Sequence, residues 1–379
     1  MINTASSNEP RIEPSLRSPS PEQTGENDDL RHFIQVLDNA GLLVRVGNEV
    51  DWKFEIGRRT RTSRTPLLFE NIKDYPGHRV FTNGLCNPVC IALALGLEPG
   101  TSRKAVIAEA RKRIAVPVKA SVVGNGPLQE NIIRAGDINL LKLPVPHWSD
   151  LDAGRYLGTW HINVTKAPES GRRNVGVYRM QLLNAKQATV SASPRSHLAQ
   201  HFARSEKAGR PLPMAVAIGV SEAVMMAAGS AYPEGLDEYE LAGSLQQKSV
   251  QLLSCRGTSL EVPAQSEIVI EGSLQPGVRV QDGPYFDYTG KPNTNPAAFL
   301  FEANQIMFRH NPIFRGTSIG MPGAEDHQLF AFLAELGLVD FHGSRLKQAV
   351  QNILLTRRLF RAFQFSGRIG SLLGGSKTV

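Results

Sequence analysis

The spacing of apolar positions separates the stretches of the chain that favour helix from those that favour strand. Leu30, Phe33, Ile34 and Leu37 recur at helical spacing after the capping pair Asp28-Asp29, and a helix is predicted from there to about residue 41. Further helices are predicted at residues 88–97, 101–115, 196–208, 221–228, 238–245, 325–338 and 343–364.

Short apolar runs bounded by turn-forming residues predict strands. Near the N terminus they cover residues 42–46, 66–71 and 79–81, the last two as neighbours. Between residues 155 and 320 they cover 158–164, 174–183, 214–220, 250–253 and 267–271. Helices combined with a substantial β core predict a mixed α/β or α+β architecture.

Composition divides the 379 residues into segments. Residues 1–28 are rich in Ser, Pro, Glu and Asn without apolar periodicity, which predicts a disordered tail. Prolines at 143–148 separate an N-terminal α/β region, 29–150, from a β-rich domain, 151–322. A helical segment, 323–379, follows.

Charge and cysteine content narrow the function classes. The net charge is +7, but the chain has no zinc finger, aromatic RNP strand or basic heptad, so a small anionic molecule is expected rather than nucleic acid. No apolar run approaches the roughly 18 residues of a membrane span. The three cysteines are too few for a disulfide framework, which predicts a reducing compartment, the cytoplasm.

Arg179 is a candidate functional residue because it follows apolar positions in the strand predicted at 174–183. Alternation places it with Val175 and Val177 on one face, and Asn174 with Tyr178 on the other. Such an arginine requires an anionic partner, or else it reaches solvent from the end of the strand. This segment alone leaves both interpretations open.

His197 follows a turn of small residues, and Glu238 lies in a helix whose acidic residues interrupt an apolar face. With Asn174 they would suit a hard or borderline divalent ion. No spacing rule links residues so far apart, and a lone histidine is more often structural.

Asp282 and Asp287 are five residues apart across a Gly-Pro turn, flanked by Tyr285, Phe286 and Tyr288. Aromatic neighbours would desolvate the acids and raise at least one pKa, which suggests proton transfer. The alternative is that both aspartates cap turns.

These segments resemble the UbiD family of reversible decarboxylases, which use prenylated FMN. The resemblance depends on the Asn-x4-Arg strand, the later histidine, the helical glutamate, the acidic loop and the run Val-Pro-Ala-x-x-Glu-Ile-Val-x-Glu-Gly at 262–272. It implies a UbiD-like fold: a central split β-barrel that binds the flavin, a helical N-terminal part and a shortened C-terminal helical region.

The resemblance also implies the roles of individual residues. Asn174, His197 and Glu238 would hold a divalent metal, usually manganese, that bridges to the cofactor phosphate, with K⁺ as a further candidate ion. The flavin would be lined by Val177, Tyr178, Arg179, Ser193 and Ser196. The catalytic trio would be Asp282, Arg179 and Asp287.

The implied reaction is the reversible, non-oxidative decarboxylation of an aromatic or α,β-unsaturated carboxylic acid. A flavin prenyltransferase would supply the cofactor. Arg179 would hold the substrate carboxylate, Asp282 would orient Arg179, and Asp287 would protonate carbon. The alternative is a non-catalytic UbiD-like subunit that requires a partner chain.

The sequence departs from the family pattern at three points. Asp282 stands where a longer Glu is usual, Phe286 where a glycine is common, and the chain ends at Val379 where relatives continue into a region with dimer contacts. Residues 340–379 combine seven Lys and Arg with an apolar helical face, which predicts a homodimer or higher oligomer. Alternatively, this helix packs on its own core.

Overall fold

A computed structural model describes residues 29–231, 236–321 and 323–339. The predictions for the tail at 1–28, the helix at 343–364 and the oligomer surface at 340–379 lie outside these ranges. Within them, no helix is long and apolar enough to cross a membrane.

The first helix forms where the apolar spacing predicts it. Helix α1, Leu30–Asn39, begins at Asp29, whose side chain accepts from His32 N, and it buries its apolar face. The N-terminal elements that follow are β1 Val44–Val46, α2 Glu55–Thr62, β2 Leu67–Phe69, β3 Arg79–Thr82, α3 Pro88–Ala94, α4 Arg103–Ile114, β4 Ser121–Val123 and β5 Asn131–Arg134. Strands β2 and β3 are neighbours, as predicted, and they pair antiparallel.

The remaining elements lie mainly in the β-rich region. They are β6 Tyr156–Gly158, β7 His161–Lys166, β8 Arg173–Gly176, β9 Met180–Gln181, β10 Gln187–Val190, α5 His197–Lys207, β11 Leu212–Ile218, α6 Glu222–Ala228, α7 Glu238–Gln246, β12 Gln251–Ser254, β13 Glu261–Pro263, β14 Ile268–Phe286, β15 Pro292–Phe308, β16 Ile313–Arg315 and α8 Glu325–Leu336. The predicted mixed architecture is confirmed.

A curled seven-stranded sheet forms the centre, in the order β10-β15-β14-β11-β7-β8, with β5 also paired to β15. Its longest strands, β14 and β15, form a hairpin whose register shifts four times. The strand predicted at 267–271 is only the start of β14, and β15 was not predicted. Pro292, Pro296 and three intervening polar residues begin β15, and this is a turn-like composition.

A smaller sheet joins the two ends of the described chain. Its strand order is β1-β2-β3-β16, and β16 pairs parallel with β3 across more than two hundred residues. Residues after the central hairpin therefore complete a sheet of the N-terminal region. The domain boundaries at 150 and 322 remain predictions.

Glu267 anchors α1 to the central sheet. This fully buried carboxylate accepts from Arg31 at 2.7 and 2.8 Å and from Ile313 N at 2.9 Å. Arg309 lies 3.4 Å from it. A charge buried this deeply is tolerated because it is paired and hydrogen-bonded.

Candidate active site

The strand that carries Asn174 ends at Gly176, so the predicted continuous strand at 174–183 is wrong. The backbone leaves the sheet because Asn163 Oδ1 accepts from Tyr178 N at 3.1 Å, and His161 Nε2 lies 3.1 Å from Tyr178 O. Burial lowers the pKa of His161 to about 4, so this ring is neutral. The side chains of residues 177–179 therefore do not alternate between the two faces of a strand, although the sequence predicted that they would.

Arg179 has the anionic partner that the sequence required. Its Nε and Nη2 lie 2.6 and 2.5 Å from Asp282 Oδ1, and Nη2 donates to Asn293 O at 3.1 Å. Thr189 Oγ1 donates to Asp282 Oδ2 at 2.6 Å. Because the Arg179 side chain is only 13% exposed, the solvent-reaching interpretation is wrong.

Asp282 lies within β14 rather than in a loop, and it is fully buried. Burial raises the pKa of its carboxyl, and Arg179 and Thr189 act against that rise. The aspartate side chain reaches Arg179 although it is one methylene shorter than the glutamate usual in the family. The turn-capping interpretation is wrong for Asp282.

Asp287 does cap a turn, and it also faces Arg179. Its Oδ1 accepts from Thr289 N at 2.9 Å and its Oδ2 from Asn293 Nδ2 at 2.8 Å. Its Oδ2 also lies 4.0 Å from Arg179 Nη1. Beneath the guanidinium is the Tyr285 ring, 5.2 Å from Arg179 Cζ. One arginine thus lies between two buried carboxylates and above an aromatic ring.

A second group of predicted residues converges on Tyr178. The Tyr178 hydroxyl is hydrogen-bonded to the side chains of Asn174 and Ser196, and it interacts electrostatically with the Glu238 carboxylate. Glu238 Oε2 in turn accepts from Val175 N at 3.2 Å. Asn174 lies in β8, Ser196 caps α5 and Glu238 begins α7, so the group spans more than sixty positions of the sequence.

The other predicted binding residues lie around this group. Ser196 is the N-cap of α5 and His197 is its first residue. Ser193 is exposed and its carbonyl accepts from Ser196 N at 2.9 Å, whereas half-buried Val177 packs against the core. The structure thus brings Asn174, Tyr178, Ser196 and Glu238 together, and it shows no hydrogen bond or ion pair between the His197 side chain and these residues.

The donor atoms of Asn174, His197 and Glu238 are of types that would suit a divalent cation. Glu238 is 6% exposed and has no ion pair among the described residues, and burial raises its pKa to about 7. A buried carboxylate without a cationic partner is costly, and a metal ion would remove that cost. Amide oxygen, imidazole and carboxylate together suit a hard or borderline divalent ion. The described residues contain no cluster of three His, Cys, Asp or Glu side chains suited to a metal.

Asp152 is a site residue that the sequence analysis missed. Its Oδ1 accepts from Phe286 N at 2.8 Å, and the next residue, Ala153, donates to Pro284 O at 2.7 Å. Burial raises the pKa of Asp152 to about 6. No sequence signal marked it, because it lies 134 positions from Phe286, whose N–H it accepts.

Asp152→Asn tests this burial through the dependence of stability on pH. A carboxyl whose pKa is raised on folding stabilises the fold at low pH, and this contribution is lost as pH rises from the unfolded value, near 4, through about 6. We expect the free energy of unfolding in urea to change by about 1 kcal/mol in favour of Asp152→Asn between pH 5 and pH 8. Parallel pH profiles for the two proteins would contradict this expectation.

Comparison with known proteins identifies the family. Residues 120–322 match the family model of the 3-octaprenyl-4-hydroxybenzoate carboxy-lyase Rift-related domain, UbiD, and residues 34–110 match the corresponding N-terminal domain. Pyrrole-2-carboxylic acid decarboxylase of Pseudomonas aeruginosa is 32% identical over 327 residues, which are 82% of this chain and 66% of that protein.

Two solved structures agree with this match. Vanillic acid decarboxylase of Sedimentibacter hydroxybenzoicus, in its closed form, is 32% identical with a TM-score of 0.78, over 80% of this chain and 67% of that one. An evolved dimeric form of a UbiD-class enzyme from Pelotomaculum thermopropionicum, in complex with prFMN, is 29% identical with a TM-score of 0.75, over 87% and 83%. The predicted UbiD-like fold is confirmed, and this chain belongs to the UbiD family of carboxy-lyases.

Proposed function

We propose that this chain is a carboxy-lyase that reversibly decarboxylates an aromatic or α,β-unsaturated carboxylic acid with prenylated FMN and a divalent metal bound. The observation that carries the proposal is Arg179 held between Asp282 and Asp287. The relatives named for acting on pyrrole-2-carboxylic and vanillic acids support the substrate class.

Arg179 binds the substrate carboxylate. Asp282 and Asn293 O engage its Nε and Nη2, which fixes the plane of the guanidinium. Its Nη1 lies 4.0 Å from Asp287 Oδ2, a separation that leaves this nitrogen available to a carboxylate. Thr189 Oγ1 orients Asp282 by donating a hydrogen bond of 2.6 Å to its Oδ2.

Asp287 acts as the general acid and base. The bond between the substrate carbon and its carboxylate breaks, and carbon dioxide leaves. The electron pair of that bond remains on the substrate carbon. Prenylated FMN, when bound, supplies the electron sink for that pair. The Asp287 carboxyl then donates its proton to the carbon, and in carboxylation it removes that proton. Asn293 and Thr289 hold Asp287 for this step.

Asn174, His197 and Glu238 hold the metal, manganese by preference, with K⁺ as a further candidate. The flavin is lined by Val177, Tyr178, Arg179, Ser193 and Ser196. Tyr178 joins the two groups, because its ring reaches Asn174 and Ser196 and the next residue is Arg179. A flavin prenyltransferase as cofactor supplier, an oligomeric state and a cytoplasmic location remain predictions.

Co-expression with a flavin prenyltransferase tests the function. We expect the purified chain to show the absorbance of a modified flavin and to release carbon dioxide from at least one acid in a panel of pyrrole-2-carboxylate, vanillate and cinnamate. A loaded chain that is inactive alone and active only with a partner chain would instead support the non-catalytic subunit.

Glu238→Gln tests the metal site. The amide keeps an oxygen ligand but loses the charge, so we expect metal and flavin content of the purified protein to fall together, by about tenfold or more. Elemental analysis and flavin absorbance measure both. Glu240→Gln, in the same helix and only partly buried, is the matched control and should retain both. Full metal content in Glu238→Gln would remove Glu238 from the site.

A further inference from the structure

Two of the proposed metal ligands each follow a residue of one ion pair. Arg173 comes directly before Asn174 in β8, and Asp237 comes directly before Glu238 at the start of α7. Arg173 Nη1 donates to Asp237 Oδ2 at 2.5 Å. Consecutive Cα atoms are about 3.8 Å apart, so each of these ligands lies one peptide unit from the ion pair.

Asp237 uses its two carboxylate oxygens for different contacts. Its Oδ1 accepts from Tyr239 N at 2.9 Å, which caps α7, whereas its Oδ2 accepts from Arg173. The cap fixes the residue at which the helix begins, and the ion pair fixes that beginning relative to β8. Glu238 is the first residue of α7, so both contacts determine where its carboxylate lies.

Arg173 is itself held by residues of other elements. Its Nη2 donates to Glu261 Oε2 at 2.7 Å, and its Cζ lies 5.0 Å from the centre of the Tyr239 ring. Lys166, opposite Arg173 in the pairing of β7 with β8, donates to Glu261 Oε1 at 2.6 Å. Only 16% of the Arg173 side chain is exposed, so its ion pairs are screened less than pairs at the surface.

The proposed ligands lie where α7 meets the edge of the central sheet. Strand β8 is the terminal strand in the order of that sheet, and Glu238 Oε2 accepts from its Val175 N at 3.2 Å. That hydrogen bond uses the carboxylate that would also bind the metal. The ion pair of Arg173 with Asp237 connects the same two elements and leaves the donor atoms of both ligands available.

We propose that Arg173 is a positioning residue: its ion pair with Asp237 sets the separation of two metal ligands. The inference rests on the proposed function, in which Asn174 and Glu238 bind a divalent cation. The two cations and two carboxylates of this cluster cancel in charge, so the cluster orients the ligands without adding net charge beside the ion. Loss of residues that orient metal ligands typically lowers metal affinity by about 10- to 100-fold.

Two single variants separate positioning from a simple effect of charge. Arg173→Met removes a cation, and on charge alone it should strengthen the binding of Mn²⁺. Asp237→Asn removes a carboxylate but keeps an oxygen that can cap α7, and on charge alone it should weaken binding. Because both variants break the same ion pair, we expect each to raise the Kd for Mn²⁺ by about tenfold or more.

Titrations of the full chain with Mn²⁺ measure these constants. A chelator removes bound metal, FMN is added, and electron paramagnetic resonance reports the free ion, while circular dichroism verifies the fold. The double variant should bind within about threefold of the weaker single variant, because one change already breaks the pair. Arg173→Lys keeps the charge but not the fork that reaches both carboxylates, so a rise in its Kd decides the question if Arg173→Met does not fold.

Lys166→Met is the matched control. Lys166 also bonds to Glu261, but the residue after it is Ala167, which offers no side-chain ligand. A merely structural role of the cluster would weaken Mn²⁺ binding in Lys166→Met as much as in Arg173→Met. We expect instead that the Kd of Lys166→Met stays within about threefold of the wild-type value.

Three results would overturn the proposal: Mn²⁺ binding in Arg173→Met as tight as in the wild type or tighter, an equal loss in Lys166→Met, or a double variant that shows the product of the two single effects. A wild type that binds no Mn²⁺ removes the metal from the proposed function, and this inference with it. If the variants change Mn²⁺ binding as expected but no acid releases carbon dioxide, the positioning role stands without the decarboxylase.

Discussion

Arg179→Ala is expected to lower kcat/KM for decarboxylation by about 10²- to 10⁴-fold, because it removes the proposed anchor of the substrate carboxylate, which also faces both acids. It also leaves buried Asp282 with Thr189 as its remaining side-chain partner. Carbon dioxide release measures the loss, and flavin content with circular dichroism verifies that the protein is folded and loaded.

Arg179→Lys separates charge from geometry. Lysine retains the positive charge but not the planar fork that meets Asp282 and Asn293 O together, so we still expect a loss of about tenfold or more. Arg279→Ala is the matched control. Arg279 also pairs with a carboxylate, Glu206 at 2.7 Å, and stacks on aromatic rings, but it is part of no proposed site. Activity near the wild-type value in Arg179→Ala would refute the site assignment.

Arg315→Met is expected to lower the free energy of unfolding by about 3–5 kcal/mol. Arg315 is 1% exposed, donates to Glu222 Oε1 at 3.0 Å and pairs closely with Glu325. Its guanidinium lies 5.0 and 4.9 Å from the Phe81 and Trp160 rings. Removing it leaves two buried carboxylates without a cation, at the junction of β16 with α6 and α8.

The triple variant Arg315→Met, Glu222→Gln and Glu325→Gln is the control, because neutral amides remove the unpaired charges. We expect it to recover at least half of the stability lost in the single variant. Urea unfolding followed by fluorescence measures all three proteins. A loss below about 1 kcal/mol in Arg315→Met would show that this cluster contributes little.

The sequence by itself determined the local elements and the chemistry. The apolar spacing around Phe33 and the Asp29 cap are short-range signals, and α1 forms where they predict it. The run at 262–272, with the motif of Asn174 and Arg179 and the acids at 282 and 287, is enough to indicate the family. Motifs survive because reacting groups must keep their chemical type and local spacing.

Only the tertiary structure decided which residues meet. Side chains do not alternate between two faces after Gly176, because Tyr178 is hydrogen-bonded to His161 and Asn163 and the backbone leaves the sheet. Both partners lie more than a dozen positions earlier in the chain. Strand β15 forms from a polar, proline-containing segment because β14 supplies its hydrogen-bond partners. Asp152 reaches the site through contacts between distant segments, and its burial is not encoded in local spacing. These features depend on long-range packing, which overrides local preference.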